Sequence, residues 1–474
     1  MSTELNRSHV DAPAAPVRLV HLGLGAFHRA HQVWYTQHAE DAGDWGYCSF
    51  TGRSPRMSDA LSPQDGLYTL VTRSGDGDSM EVITALSEAE PADNVARLVE
   101  LVASPEVAVI TLTITEAGYH LTDSGELDTD NADVTGDIGV LREIAEDAGH
   151  RPEHLATAAG RIVAGLAARR RAGGPGNAVM SCDNVADNGP MTRTAILGTA
   201  RAVDKELAEW IEKNVTFPST SIDRITPATT PELIADVEKE TGFADAAPVV
   251  TEPFASWVIE GEFPAGRPKW ETAGAEFVAD IEQFERRKLW LLNGSHSLMA
   301  YFGQLRGHET VAEAVSDSVV REKVEALWDE AANHLTAPGL DIPGYRAALI
   351  ERFENPRIRH NLAQIGIDGG TKQRMRAVPI MKAERAAGRD GRAGAFSIAA
   401  WIAFLTRDDD TQEIADARAD ELAQARAAAD PVAALVAALD ADLAQDADAV
   451  ELIRGHVEAI RGTDQRTAED TEDA

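Results

Sequence analysis

The sequence predicts an α/β fold, with an α/β domain at the amino-terminal end followed by a mostly α-helical domain. Short runs of β-branched and apolar residues alternate with helical segments as far as residue 279, which is typical of α/β proteins. From Asp280 onward, the hydrophobic periodicity is helical almost throughout. A chain of 474 residues is also too long for a single hydrophobic core, which favours at least two domains.

These patterns divide the chain into four segments. Residues 1–16 form a loose polar start, residues 17–279 the α/β domain and residues 280–461 the helical domain. Residues 462–474 form an acidic tail that we expect to be disordered. The first segment lacks the apolar core of a signal peptide, and no apolar run approaches the ~18 residues of a membrane-spanning helix.

Composition and charge exclude several classes of partner. The formal net charge is −34, whereas proteins that bind nucleic acids or anionic membranes need basic surfaces. The two cysteines, Cys48 and Cys182, lie in different segments and predict neither a disulfide framework nor a cysteine-rich metal site. The 13 histidines form no zinc-ligand pattern. We therefore expect a cytoplasmic protein that binds no metal.

The first predicted strand, Val17–Leu22, runs into a Gly-x-Gly turn, and a helix through Tyr35 follows. A buried strand, a glycine turn and a helix form the first unit of the Rossmann-like dinucleotide-binding fold. The first glycine permits the tight turn, and the second lets the backbone approach a pyrophosphate. His28 replaces the third glycine of the usual fingerprint. The candidate cofactor-binding residues of this turn are Gly23, Gly25, Ala26 and Phe27.

The second strand, predicted over residues 45–51, leaves the choice of cofactor open. In a doubly wound fold, this strand ends beside the adenosine ribose, where NAD enzymes usually carry Asp or Glu for the 2′-hydroxyl. This chain has Thr51-Gly52-Arg53-Ser54 at that point, without an acid. Arg53 is either a ligand for the 2′-phosphate of NADP or a surface arginine.

The remaining α/β elements follow in order. We predict an extended segment over residues 63–71, strands over 107–115 and 178–182, helices over 155–171 and 192–214, and a strand end over 220–227. Ligands of open α/β sheets bind beyond the carboxyl ends of the strands. Glu116 follows one strand and is a candidate cofactor contact. The charged pair Asp223-Arg224 at the last strand end is either structural or faces a ligand.

In the helical domain we predict helices over residues 315–335, 345–352, 395–405 and 411–427, and two surface helices within 430–460. A basic stretch broken by glycines lies between them, at residues 364–376. In so acidic a chain, Lys372, Arg374 and Arg376 predict a site for an anion or a polyol. The alternative is a solvated basic helix start.

The stretch of residues 284–297 carries Lys288, Asn293 and His296 in the spacing Lys-x4-Asn-x2-His. In a regular α-helix, at about 100° per residue, His296 lies about 80° and Asn293 about 140° from Lys288. All three side chains then face one side of the helix. The opposite side is apolar and consists of Phe284, Trp290, Leu291 and Leu298.

These three residue types suit the oxidation of a secondary alcohol. A lysine beside apolar neighbours can have its pKa lowered enough to act as a base near neutral pH. Asparagine and imidazole groups can donate hydrogen bonds to an oxygen that gains negative charge. Both functions are needed when a hydroxyl loses its proton while a hydride leaves the carbon. The alternative is a half-buried structural helix with a snorkelling lysine, a capping asparagine and a core histidine.

Taken together, the segments resemble one family, the long-chain mannitol dehydrogenase family of polyol and sugar-acid dehydrogenases. The similarity covers about residues 17–400, and its order along the chain makes it specific. The matching segments are Gly23-Leu24-Gly25-Ala26-Phe27-His28-Arg29-Ala30-His31, Thr115-Glu116-Ala117-Gly118-Tyr119, Ser181-Cys182-Asp183-Asn184, Ile222-Asp223-Arg224-Ile225, Glu252-Pro253-Phe254 and residues 288–296.

The resemblance implies a Rossmann-like amino-terminal domain, a mostly helical carboxy-terminal domain and an active site between them. It implies metal-free hydride transfer with a nicotinamide cofactor, NAD in most of the family. Lys288 is then the general base or acid, and Glu285 relays its proton to solvent. Asn184 and Asn293 stabilise the oxyanion. His296 orients the substrate and Asp223 contacts it.

The substrate remains open between branches of the family. The segment from Asn355 to Lys372 is similar to fructuronate reductases, whose substrate carboxylate would need a cation such as Lys372 or Arg374. Mannitol 2-dehydrogenase is the equal alternative, and mannitol 1-phosphate 5-dehydrogenase or a pentitol (arabinitol) dehydrogenase is a further one. We expect a monomer or a small homo-oligomer with a small polyol or sugar-acid substrate.

Overall fold

The computed structural model describes residues 2–146, 154–407 and 415–472, and the side chains as far as residue 462. The chain forms two compact units, Met1–Ile281 and Glu282–Ala474. The strands of the described residues lie in the first unit, and the second unit is helical. The predicted fold class, a Rossmann-like α/β domain followed by a mostly helical domain, is confirmed.

The first unit contains one central sheet and smaller sheets around it. The strands are β1 (Thr3–Glu4), β2 (Val17–Leu22), β3 (Gly46–Phe50), β4 (Tyr68–Ser74), β5 (Gly77–Ile83), β6 (Leu86–Glu90), β7 (Val109–Leu112), β8 (Ala178–Ser181), β9 (Ser219–Asp223), β10 (Phe243–Ala244), β11 (Val249–Thr251), β12 (Ser256–Glu260) and β13 (Glu276–Val278). The central sheet has the order β6-β3-β2-β7-β8, and all its strand pairs are parallel. This is the doubly wound order, which reverses between β2 and β7.

The predicted strands at residues 17–22, 45–51, 107–115 and 178–182 correspond to β2, β3, β7 and β8. Their side chains alternate between two apolar layers, as expected for a sheet covered on both faces. Leu22 and Ile110 belong to one layer, whereas Leu19 and Val109 belong to the other. The carboxyl ends of β2, β7 and β8 consequently lie along one edge of a rigid sheet, where residues of the candidate site follow them.

The helices of the first unit are α1 (Arg7–Val10), α2 (Ala26–Ala30), α3 (Gln32–His38), α4 (Arg56–Leu61), α5 (Val95–Ala103), α6 (Ala132–Glu146), α7 (Ala158–Arg171), α8 (Asn188–Val203), α9 (Lys205–Asn214) and α10 (Pro231–Thr241). The single helix predicted over residues 192–214 is wrong, because Asp204 divides it. Asp204 has an extended backbone (φ −150°, ψ 119°), and its carboxylate accepts a hydrogen bond from the Glu206 N–H at 2.9 Å. This N-cap begins α9 and ends α8.

A histidine stack explains the missing third glycine of the turn. The His28 ring lies flat on the His21 ring, with 3.4 Å between centroids, and both residues are fully buried. His28 Nε2 lies 2.9 Å from Ser49 Oγ, and His21 Nδ1 lies 2.8 Å from Thr111 Oγ1. In place of a glycine that allows close helix–sheet packing, this chain fills the space between α2 and the sheet with imidazole.

We expect the stack to make the protein sensitive to acid. Burial lowers the pKa of His21 to about 3 and that of His28 well below its ordinary value. Both rings are therefore neutral in the folded state but take up protons in the unfolded state below pH ~6.5. Above pH ~6.5, neither histidine reduces the free energy of unfolding. As the pH falls below ~6.5, each histidine lowers the free energy of unfolding by up to about 1.4 kcal/mol per pH unit. For His21 this range extends to its folded-state pKa of about 3.

Urea unfolding at pH 7.5, 6.5 and 5.5 tests this prediction. In the His28→Gln variant, the free energy of unfolding should fall less steeply with decreasing pH, by about the contribution of one proton. The His9→Gln variant, in which the exposed His9 is replaced, should keep the slope of the native protein. Equal slopes in all three proteins would mean that the stack is not the source of the pH dependence.

The second unit is built from helices. They are α11 (Glu282–Arg287), α12 (Gly294–Leu298), α13 (Val311–Ser316), α14 (Ser318–Ala332), α15 (Ile342–Phe353), α16 (Leu362–Ile365), α17 (Gly369–Ala386), α18 (Arg392–Leu405), α19 (Ala419–Arg426), α20 (Pro431–Leu439) and α21 (Ala447–Glu472). The apolar α18 is central, because most of its residues are buried.

One helix prediction in this unit needs correction, one helix extends into the predicted tail, and part of another predicted helix lies outside the described residues. The helix predicted over 315–335 divides at Asp317, whose carboxylate accepts from the Val319 N–H at 2.9 Å and begins α14. Helix α21 extends as far as Glu472, into the tail that we predicted to be disordered from residue 462. The first residues of the helix predicted over 411–427, and residues 473–474, lie outside the described part.

Candidate active site

In the first unit, the turn after β2 is shaped by Gly23. Its φ of +113° is a conformation that L side chains rarely adopt, and a Cβ there would lie 2.1 Å from the Thr113 carbonyl oxygen. The Gly23 and Leu24 N–H groups donate to the Phe50 carbonyl at 2.9 and 2.8 Å. The turn is therefore held against the ends of both neighbouring strands, β3 and β7.

Gly25 leaves open space where the chain enters α2. A Cβ on Gly25 would have the Gly23 carbonyl oxygen as its nearest neighbour, at 3.6 Å. Ala26 and Phe27 are half-buried, and Phe27 stacks on His31 with 4.9 Å between ring centroids. The helix predicted through Tyr35 is interrupted at His31 (φ −120°, ψ −85°). The open backbone at Gly25 suits the close approach of a dinucleotide pyrophosphate.

The other candidate cofactor residues of this unit are exposed. Arg53 lies beyond the carboxyl end of β3, and Glu116 begins a short 3-10 turn, Glu116–Tyr119, beyond β7. Both lie at the edge where a doubly wound sheet binds its ligand.

Asn184 lies in the loop between β8 and α8 and is exposed. Asn188 holds the far end of this loop, since its Nδ2 donates to the Asp183 carbonyl at 3.2 Å and to the Thr220 carbonyl at 2.7 Å. The Thr220 N–H in turn donates to Asn188 Oδ1 at 3.0 Å. The anchored loop thus joins the end of β8 to β9, the strand that ends with Asp223.

The two residues of the charged pair at the end of β9 have different roles. Asp223 is half-buried, whereas Arg224 is buried and structural. The Arg224 guanidinium donates to the Ala30 carbonyl at 2.5 Å and to the Glu252 carbonyl at 3.2 Å, and it lies over the Trp34 ring. Burial lowers the pKa of Arg224 to about 10, so it remains cationic. Of the pair, Asp223 alone keeps the predicted substrate role as a hypothesis.

In the second unit, the stretch with Lys288 is not the regular α-helix that we predicted. Residues Lys288–Asn293 form a π-helical turn between α11 and α12, and Met299–Gly303 form a second one. The Gly294 N–H donates to the Leu289 carbonyl, five residues back. Such a turn brings residues five apart closer to the same side, so Asn293 lies nearer to Lys288 than the predicted angle of about 140°.

Side chains from neighbouring helices donate hydrogen bonds to carbonyl groups of the first π turn. Trp328 Nε1 on α14 donates to the Leu291 carbonyl at 2.8 Å. Arg376 Nη1 on α17 donates to the Asn293 carbonyl at 3.1 Å and to Ser297 Oγ at 2.8 Å. Wide turns of this kind occur frequently at functional sites, and these contacts stabilise this one.

The predicted apolar side, Phe284, Trp290, Leu291 and Leu298, is buried, which confirms this part of the interpretation. On the other side, Glu285, Lys288 and Asn293 are half-buried. His296 is buried and packs against the rings of Phe353 and His360, at 5.1 and 4.9 Å between centroids.

His296 lies in a cationic environment. Burial lowers the pKa of His296 well below its ordinary value, and His360, Arg352, Arg376 and Lys372 lower it further. The imidazole is therefore neutral at physiological pH and can donate one hydrogen bond and accept another. Sequence reasoning missed Arg352 and His360, because they are distant along the chain.

Of the three cations predicted as an anion site, two belong together. Lys372 and Arg376 lie one turn apart on α17, and both act on His296. Arg374 points elsewhere: its Nε donates to the Leu439 carbonyl at 2.9 Å and its Nη2 to the Ala438 carbonyl at 3.1 Å, at the end of α20. These contacts favour a helix-capping role for Arg374 over the predicted role in substrate binding.

Two kinds of feature are absent from the residues that the structure describes. Within them, no helix combines the length and apolar character needed to cross a membrane. No three His, Cys, Asp or Glu side chains of residues 2–146, 154–407 and 415–462 come together as ligands for a metal ion.

Each of the two units matches the model of a known protein domain family. The model of the mannitol dehydrogenase Rossmann domain matches residues 17–272, and that of the mannitol dehydrogenase C-terminal domain matches residues 280–461. The chain belongs to the mannitol dehydrogenase family. Members of this family are oxidoreductases that act on polyols and sugar acids, with a nicotinamide cofactor.

Curated relatives within the mannitol dehydrogenase family include enzymes for both substrate types. D-mannonate oxidoreductase of Escherichia coli (strain K12) is 39% identical over 403 residues, 83% of this chain and 81% of that protein. Mannitol 2-dehydrogenase of Cereibacter sphaeroides is 37% identical over 399 residues, 82% of this chain and 80% of that protein.

Solved mannitol dehydrogenase family structures cover nearly the whole chain. D-sorbitol dehydrogenase in substrate-free form has a TM-score of 0.86 and 29% identity, with coverage of 97% of this chain and 98% of that one. Pseudomonas fluorescens mannitol 2-dehydrogenase, in a ternary complex with NAD and D-mannitol, has a TM-score of 0.76 and 32% identity, with coverage of 98% of both chains.

Proposed function

We propose that the protein is an NAD-dependent oxidoreductase that interconverts an open-chain sugar acid and its keto form, of the D-mannonate/D-fructuronate type, without a metal. The observation that carries the choice of a sugar acid is the cationic environment of His296. The relative named D-mannonate oxidoreductase supports the same choice.

The charges around His296 favour an anionic substrate. Lys372 and Arg376 are partly buried, and burial lowers the pKa of both. Arg376 stays cationic at pH 7, since its pKa falls only to about 10. Arg376 disfavours the charge on Lys372, and Asp368 and Asp416 favour it. A substrate carboxylate would favour both cations further. A neutral polyol has no charge with which to do so.

Lys288 is the proposed general base for oxidation of the substrate hydroxyl and the general acid for the reverse reaction. Glu285, three residues earlier along the chain, is the proposed relay of the lysine proton to solvent. Asn293 and Asn184 are the proposed hydrogen-bond donors to the substrate oxygen as it gains negative charge. Carboxamides suit this role, because they do not titrate and do not compete for the proton.

His296 and Asp223 are the proposed substrate-orienting groups. A neutral His296 can bind a substrate hydroxyl without exchanging protons with Lys288, and burial keeps it neutral. NAD, when bound, supplies the acceptor for the hydride. Gly23, Gly25, Ala26 and Phe27 are the proposed residues along its pyrophosphate, and Arg53 and Glu116 are further candidate contacts.

The cofactor proposal favours NAD over NADP. A solved relative of 32% identity is a complex with NAD. Arg53 is the residue that favours NADP, as a ligand for the 2′-phosphate. Parallel assays with NADH and NADPH decide between the two cofactors.

Reduced-cofactor absorbance tests the substrate. With NADH we expect kcat/KM for D-fructuronate to exceed that for D-fructose about 10- to 100-fold, the difference that a charge-assisted hydrogen bond provides. EDTA in the assay should change nothing. Activity on fructose alone would assign the protein to the polyol branch, and loss of activity in EDTA would contradict metal-free transfer.

The Lys372→Met variant tests the carboxylate site directly. We expect KM for fructuronate to rise about tenfold or more, because one charge-assisted hydrogen bond is lost, while fructose turnover changes little. Arg374→Met is the matched control, since it removes a cation two residues away on the same helix that caps α20 instead. Equal effects of the two variants on KM would argue against a carboxylate site at Lys372.

A further inference from the structure

Asp183 is a buried carboxylate at the carboxyl edge of the parallel sheet, and the mechanism proposed above gives it no part. It is 3% exposed. Its Oδ1 accepts a hydrogen bond from the Ile114 N–H at 2.6 Å. Its Oδ2 accepts from Ser181 Oγ at 2.9 Å and from the Tyr119 hydroxyl. The two hydroxyl oxygens themselves are 2.7 Å apart, so the four groups form one compact cluster.

These hydrogen bonds connect two loops of the candidate site. Ile114 and Tyr119 belong to the loop beyond β7, whereas Asp183 follows β8 and immediately precedes Asn184. The loop beyond β7 also lies against the glycine turn, since the Thr113 carbonyl oxygen occupies the space that a Gly23 Cβ would need. Contacts thus run from the Asn184 loop, through residues 113–119, to the turn proposed to bind the cofactor.

An ionised carboxylate suits this arrangement better than any neutral group. It presents acceptors to all three donors, whereas a protonated carboxyl group must use one oxygen as a donor. The groups around it are uncharged, because burial raises the pKa of both Tyr119 and Cys182. Burial also raises the pKa of Asp183, to about 6, although hydrogen bonds from Tyr119, Ser181 and Ile114 oppose the shift.

We propose that Asp183 is a positioning residue, whose carboxylate holds the loop beyond β7 and the Asn184 loop in one arrangement. Through the first loop it sets the glycine turn for the cofactor, and through the second it sets Asn184 for the substrate oxygen. The second effect rests on the function proposed above for Asn184. The first does not, because binding of the cofactor can be measured without turnover.

The test compares Asp183→Asn with the native enzyme in the direction of ketone reduction by NADH. Asparagine keeps the shape and one acceptor, so the protein should fold and keep its melting temperature. We expect a fall in kcat of about tenfold and weaker NADH binding by fluorescence titration, because one of three anchoring bonds is lost. Asp183→Ala should show larger losses, and its melting temperature reports any loss of folding.

The pH dependence of kcat distinguishes a positioning role of Asp183 from a general effect on protein stability. In this direction Lys288 acts as an acid and stays protonated at low pH, so it does not reduce the rate there. We expect native kcat to fall below pH ~6, as Asp183 takes up a proton, and we expect this acid limb to be absent in Asp183→Asn. A variant with native kcat, native NADH affinity and the same acid limb would overturn the proposal.

Asn184→Ala distinguishes failure of the inference from failure of the proposed mechanism. If Asn184→Ala retains native kcat, the role given to Asn184 is wrong, and NADH binding then decides about Asp183 alone. Weaker NADH binding by Asp183→Asn supports the positioning role in that case, and unchanged binding overturns it.

Discussion

Replacing Lys288 with alanine is expected to lower kcat about 10²- to 10⁴-fold in both directions, the usual contribution of a positioned general acid or base. The proposed reaction takes a proton from the substrate hydroxyl in oxidation and returns it in reduction, so both rates need the amine. NADH should still bind, because the candidate cofactor residues belong to the first unit. Steady-state rates and NADH fluorescence titration measure the two quantities separately.

Arg286→Ala is the matched control for the Lys288 variant. Arg286 lies two residues earlier in α11, is exposed and forms an ion pair with Glu282 one turn away. Exposed pairs of this kind contribute little to stability, so its rates should stay close to native. Partial recovery of Lys288→Ala by added methylamine would support proton transfer as the missing function. Near-native turnover of Lys288→Ala without any added amine would refute the role of the lysine.

The fold could be predicted where the hydrophobic periodicity and the residue composition of a segment indicated the same secondary structure. β2, β3, β7 and β8 are short apolar strands followed by polar loops, and this pattern has few alternatives in a parallel sheet. The helix breaks at Asp204 and Asp317 were missed, although each is an aspartate that caps the following turn. The hydrophobic period continues across both residues, and it concealed the local capping signal.

The candidate site shows a different limit of sequence reasoning. The separation of Arg374 from Lys372 and Arg376 was readable, because residues two apart on a helix face different sides and residues four apart share one. The π turn at Lys288–Asn293 was not readable. The apolar residues around it fit either a regular or a widened helix. Trp328 and Arg376, whose side chains donate to carbonyl groups of the widened turn, are distant along the chain.

Replacing Gly23 with alanine is expected to destabilise the first unit by about 2–6 kcal/mol, the sum of backbone strain at positive φ and an overpacked contact. The new methyl group would lie 2.1 Å from the Thr113 carbonyl oxygen, which is part of the backbone and cannot rotate away. A typical domain has a total stability of about 5–15 kcal/mol, so a large share is lost. The urea midpoint and the melting temperature measure the effect.

Gly25→Ala is the matched control, because it adds the same methyl group two residues later in the same turn. Its backbone is extended (φ −133°, ψ −174°) and its nearest neighbour is 3.6 Å away, so the fold should keep its stability. The methyl group would instead occupy the space proposed for the pyrophosphate, and NADH affinity should fall about tenfold or more, equivalent to about 1.4 kcal/mol. Loss of stability in the first variant and loss of affinity in the second would separate the two glycines by function. Native NADH affinity in a stable Gly25→Ala protein would place the cofactor elsewhere along the sheet edge.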